Sequence, residues 1–142
     1  MRKIISLLSL LLALTILVTS LTACGTISAW EVKNNLEAYY GNDISLVNGD
    51  GDKWKTTLST AYNISFREKI VKVISGSFDN SSDVVVVIQF GCTSDAKKVE
   101  RKLSGKTDDY IKRHGATVVI SNSSEICDRA FTSYNELDSY SN

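Results

Sequence analysis

The chain has 142 residues, and its sixteen Lys plus Arg balance sixteen Asp plus Glu to a formal net charge of zero. That balance excludes the basic excess with which a whole chain binds nucleic acid, so no nucleic-acid partner is expected. With 43% hydrophobic residues and no proline, the composition fits one domain with a proper core and excludes a proline-rich linker.

The chain opens with the cationic Met1-Arg2-Lys3, followed by a leucine-rich run from Ile4 to Val18 and small or polar residues from Thr19 to Ala23. A charged start, an apolar run and small residues at a cleavage point are the parts of a secretory signal. The run is shorter than the roughly 20 residues a spanning helix needs, so it serves export better than permanent insertion. Leu21-Thr22-Ala23-Cys24 then resembles the lipobox of bacterial lipoproteins, with a branched apolar residue, two small residues and a Cys. The resemblance implies that Cys24 receives a diacylglycerol and that residues 1–23 are removed, leaving Cys24 at the start of the mature protein. It also implies a lipid-anchored protein at the cell membrane with its domain on the extracytoplasmic side. Residues 24–29 form a short tether, 30–138 a single domain and 139–142 a frayed tail.

Trp30 to Tyr40 has helical spacing through Val32, Leu36 and Tyr39 or Tyr40, with Gly41-Asn42 as its stop. Ile44, Leu46 and Val47 form a short extended patch. Asn48-Gly49-Asp50-Gly51-Asp52 is a turn. Its alternating oxygens suggest an EF-hand loop, but Lys53 occupies the sixth position, where Gly is needed, and Ser59 the twelfth, where Glu is needed. A turn leading to a helix capped by Asp52 fits better, with Trp54, Leu58 and Ala61 or Tyr62 on the buried face.

Ile70 to Phe78 and Asp83 to Phe90 read as a hairpin about the turn Asp79-Asn80-Ser81-Ser82. Val84-Val85-Val86-Val87-Ile88 lacks alternation, which places it as a central strand covered on both faces, Val86 included. Thr93 or Ser94 is expected to cap a long helix to about His114, with Ala96, Val99, Leu103, Tyr110 and Ile111 on one stripe. Its many Lys and Arg residues are interleaved with Asp95, Glu100, Asp108 and Asp109, as on a solvated face. Gly115 ends that helix, Ala116 to Ser121 makes a strand, and Ser123 or Ser124 caps a last helix carrying Ile126, Ala130, Tyr134 and Leu137.

These elements predict an α+β fold, a small mainly antiparallel sheet with helices packed on one face, preceded by a cleaved signal peptide. The order loosely resembles that of a group of small, uncharacterised Gram-positive lipoproteins, carried by Val84 to Phe90, Ala96 to Leu103 and Val118 to Ala130. That resemblance implies no activity.

His114 is the one histidine, and a place at a helix end makes it a dipole cap. No G-x-S-x-G, Walker or G-x-G-x-x-G motif occurs, so no catalytic residue, metal or cofactor is assigned. Tyr39, Tyr40, Trp54 and Tyr62 fit core packing better than a ligand groove. Once Cys24 is lipidated, Cys92 and Cys127 are the remaining thiols and form a candidate disulfide outside the membrane. The bridge requires that the helices following the two strands cover the same face. The functional expectation is a membrane-anchored, non-catalytic binding or accessory module with a protein partner in the cell envelope. A solute- or glycan-binding lipoprotein and a cell-envelope hydrolase are the alternatives.

Overall fold

The first described helix is capped by Ser28, whose hydroxyl accepts the Glu31 backbone N–H at 3.2 Å while the Glu31 carboxylate accepts the Ser28 N–H at 2.7 Å. This reciprocal capping box satisfies two of the N–H groups a helix start leaves unpaired. It sets helix α1 at Ala29–Tyr40 in the computed structural model, which describes residues 27–133. Ala29, the first residue of that helix, is fully buried. Leu21-Thr22-Ala23-Cys24, Tyr134, Leu137 and the tail lie outside the described residues.

A 3-10 turn at Gly41–Asp43 leads to strand β1 (Ile44–Gly49), the extended patch of the sequence. Helix α2 (Gly51–Tyr62) is capped by Asp50 and not by Asp52. The Asp50 carboxylate accepts the N–H groups of Asp52 at 2.9 Å and Lys53 at 3.1 Å, which places Asp52 already inside the helix. Strands β2 (Ile70–Phe78) and β3 (Val84–Phe90) form the expected antiparallel hairpin.

The expected long helix is divided. Helix α3 (Thr93–Ser104) stops before Gly105, and Tyr110–His114 is strand β4. Gly105 disfavours helix by about 1 kcal/mol against Ala. Beyond it, Thr107 Oγ1 accepts the Asp109 N–H at 3.0 Å and closes a turn. Tyr110, Lys112 and His114 are exposed while Ile111 and Arg113 are half-buried, the two-residue period of a strand. A two-residue connection through Gly115, at φ 59°, joins β4 to β5 (Thr117–Ser121), and helix α4 (Ser124–Ala130) follows.

Among the described residues the architecture is α+β, with five antiparallel strands in the order β1-β2-β3-β5-β4 and four helices. β3 is the central strand, as its valine run predicts. The helices, however, pack on both faces and not on one. Val85 and Val87 point into a core with Ile74 and Val119, covered by α1 through Val32 and Leu36 and by α4 through Ile126, Cys127 and Ala130. Ile88 and Phe90 point the other way, into a core with Val73, Val118 and Ile120, covered by α2 through Leu58 and by α3 through Ala96, Val99 and Leu103. Five β-branched residues in succession need a cover for each face, and four helices supply two per face. Val86 itself is half-buried against the second core, whereas Val87 is fully buried in the first.

Candidate functional site

The residues singled out in the sequence do not converge. Cys92, and not Thr93 or Ser94, occupies the N-cap position of α3; it makes no side-chain capping bond and is exposed, 3.1 Å from the Ser94 hydroxyl. Cys127 is buried in the α1/α4 core, where its thiol reaches the Tyr110 carbonyl at 3.5 Å. Both are free cysteines, so the expected disulfide is absent. The helices that carry them cover opposite faces of the sheet, which removes the shared face the bridge required. Burial first, and then the Asp128 carboxylate, push the Cys127 thiol up to about 11, so it stays protonated and unreactive at neutral pH.

His114 is not a helix cap. It ends β4, exposed, with its ring 5.8 Å from that of Phe131. Asn48 belongs to β1 and the Asp50 carboxylate is occupied by capping, so the turn is structural. Asp109 is not a free surface carboxylate: it accepts the Tyr62 hydroxyl at 3.1 Å and the Thr107 hydroxyl at 3.0 Å, tying α2 to the turn before β4. On α3, Lys98 pairs with Asp95 at 3.7 Å and Lys102 with Glu68 at 2.9 Å, while Glu100 of α3 accepts Arg113 of β4 at 2.7 Å. Trp54 and Tyr62 pack against the α2/α3 core, and Tyr39 lies under the Arg129 guanidinium at 3.8 Å. Among the described residues no group of three or more His, Cys, Asp and Glu is placed to hold a metal ion.

What the fold does assemble is a cleft of about 220 Å³ where α1 ends, β2 turns into β3 and α4 begins. Its apolar wall is Tyr40, Phe78 and Ile126, with the Tyr40 and Phe78 rings edge to face at 4.9 Å. Asp43, Asp83 and Glu125 supply carboxylates to it, and Glu125 is paired with Arg129 at 3.5 Å. Side-chain bonds fix the surrounding loops. Asn122 accepts the Val84 N–H at 2.9 Å and donates to the Ser82 carbonyl at 3.2 Å, and Ser121 donates to the Val84 carbonyl at 2.7 Å. Asp79 N–H donates to the Asp43 carbonyl at 3.0 Å, and Asn80 to the Asp43 carboxylate at 3.4 Å.

Burial, then Glu125, then Asp83 push the Tyr40 phenol up to about 12, so at neutral pH it remains a hydrogen-bond donor. The cleft therefore offers acceptors, one phenolic donor and an aromatic wall. This chemistry suits a hydroxyl-rich or cationic group of modest size. Sequence reasoning missed it because Asp43, Asp83 and Glu125 stand in a 3-10 turn, in the hairpin loop and in the first turn of α4, each of which reads as ordinary turn or capping chemistry. The signal available was Tyr40, and core packing accounted for it.

A second cleft of about 310 Å³ lies at the other end of α1, between Ile27, Glu31, Asn34 and Asn35 and the residues after α4. Compared with known proteins, the chain matches no family model, no curated protein and no solved structure.

Proposed function

We propose that this protein is a lipid-anchored, extracytoplasmic binding module without catalytic activity, held to the cell membrane through Cys24. The observation that carries the reading is the four-residue lipobox Leu21-Thr22-Ala23-Cys24 placed directly after an export signal. Among the described residues no helix is long and apolar enough to cross a membrane. Two acyl chains on one Cys suffice for stable anchoring, since each buried CH₂ contributes about 0.8 kcal/mol. The test is metabolic labelling with a radioactive fatty acid, which is expected to mark the parent and not Cys24→Ala. Label persisting in that variant overturns the anchor.

A narrower version of this reading, a solute- or glycan-binding lipoprotein, is favoured by the cleft beside Tyr40. Its carboxylates and phenol converge on one volume, the geometry of a small-molecule site. A protein partner in the cell envelope would instead be captured by crosslinking the lipidated protein in its own membrane. Thermal-shift screening against amines and neutral oligosaccharides separates the two. A shift produced by the parent and lost in Asp83→Asn and Glu125→Gln supports the solute reading, and no shift from either class removes it.

A further inference from the structure

We infer that the pole of the domain carrying the first turn of α1 is a bilayer-docking surface, in which Trp30 seats in the lipid headgroup region beside the anchor. This rests on the lipid-anchor reading of Cys24.

The argument starts from reach. Ser28 is fixed by its capping box, and the next residue is tied to the sheet by the Ala29 N–H donating to the Gln89 side chain at 3.0 Å. Cys24 lies four residues before Ser28. A fully extended chain covers at most about 3.3–3.6 Å per residue, so Cys24 stays within roughly 14 Å of that point. A nine-residue strand such as β2 is about 30 Å long, so this tether is much shorter than the molecule. The pole at Ser28 and Gln89 is therefore held against the membrane, and the opposite pole is held away from it.

Several exposed groups at the near pole fit a membrane surface; of the carboxylates at the same end, Glu31 and Asp50 are engaged as helix caps and Asp52 is exposed. Trp30, in the first turn of α1, has 59% of its surface exposed, the largest exposure of any big apolar residue described. An indole pairs an apolar body with one N–H donor, which is why Trp concentrates at the headgroup level of bilayers. Val71 is 57% exposed in the irregularity where β2 begins, between Ile70, opposite Phe90, and Lys72, opposite Gln89. Lys69 and Lys72 flank it and supply cations for lipid phosphates, each contributing about 1 kcal/mol near an anionic surface. The acidic cleft lies at the far end of α1, a rise of about 16 Å away from Ala29. Docking at Trp30 turns that cleft outward, and its carboxylates then avoid the negatively charged membrane surface.

The experiment uses the full lipidated protein in vesicles of phosphatidylcholine and phosphatidylglycerol, with and without brominated acyl chains. Intact mass first establishes the diacylglyceryl group on Cys24. Brominated lipid is expected to quench tryptophan fluorescence at least about twofold more strongly in the parent than in Trp30→Ser, because the remaining Trp54 packs against the α2/α3 core. A bimane on the native Cys92, exposed just after β3 at the same pole, should also be quenched. The same label on Ser81→Cys in a Cys92→Ser background, beside the far cleft, should not. Protein without the lipid overturns the anchor and this surface together. Lipid present with quenching unchanged by Trp30→Ser, or with the Ser81→Cys label quenched instead, overturns the docking surface alone.

Discussion

Glu68 has only 9% of its surface exposed, yet it is charged. Burial by itself raises its carboxyl pKa, but hydrogen bonds from Lys102 at 2.9 Å and from the Arg67 N–H at 3.0 Å, together with the Lys102 charge, outweigh that and leave it lowered. A lowered folded pKa contributes stability that is present above the ordinary carboxylate value of about 4.3 and is lost as pH falls through the folded value. Glu68→Gln should therefore cost about 1 kcal/mol at neutral pH, and its stability should converge with the parent's in acid. Urea unfolding followed from pH 7 down to pH 3 checks this. Thr117 is the converse case. It is fully buried, and its hydroxyl has no hydrogen-bond partner among the described residues. Thr117→Val keeps the shape and the β-branching while removing an unsatisfied polar group, so it should stabilise by about 1 kcal/mol. Calorimetry should show the melting temperature rising by several degrees.

β3 sits in the middle of the sheet, and its residues divide between two cores. Val87 is completely buried between β2 and β5, beneath α1 and α4. Val87→Asp would bury a carboxylate with no partner, at a cost of several kcal/mol against a total stability of roughly 5–15 kcal/mol. That variant should be largely unfolded by far-ultraviolet circular dichroism at 25 °C. Val86→Asp, half-buried on the other side, should stay folded and melt lower. The ranking reverses if the strand is displaced by one residue, because that exchanges the two faces.

Both cores share one sheet, so neither half of the molecule can lose its packing without exposing the other side of β2, β3 and β5. Leu36 of α1 and Leu103 of α3 are each fully buried, on opposite faces. Leu36→Ala and Leu103→Ala should each destabilise by about 2–5 kcal/mol, through lost transfer energy and a residual cavity. Each variant should still unfold in one transition, with near- and far-ultraviolet circular dichroism coinciding. Two separated transitions in either variant would falsify a shared cooperative unit.

Local signals determined much of this protein from the sequence alone. The valine run made β3 central because an unalternated apolar strand needs cover on both sides. The hairpin was legible in the turn residues Asp79 to Ser82, and α1 in its helical spacing. Local signals also misled, because seven- and eight-residue spacings from Leu103 put Tyr110 and Ile111 on a helical stripe that Gly105 and the Thr107 turn interrupt. Only the tertiary structure decided the partition of helices between two faces, since an amphipathic helix carries no mark of which side of a sheet it will cover. That partition separates Cys92 from Cys127. The same long-range pairing, Ile44 beside Phe78 and Val85 beside Ser121, draws a 3-10 turn, a hairpin loop and the start of α4 into one acidic cleft, and pairings so distant in the chain leave no trace in spacing or composition.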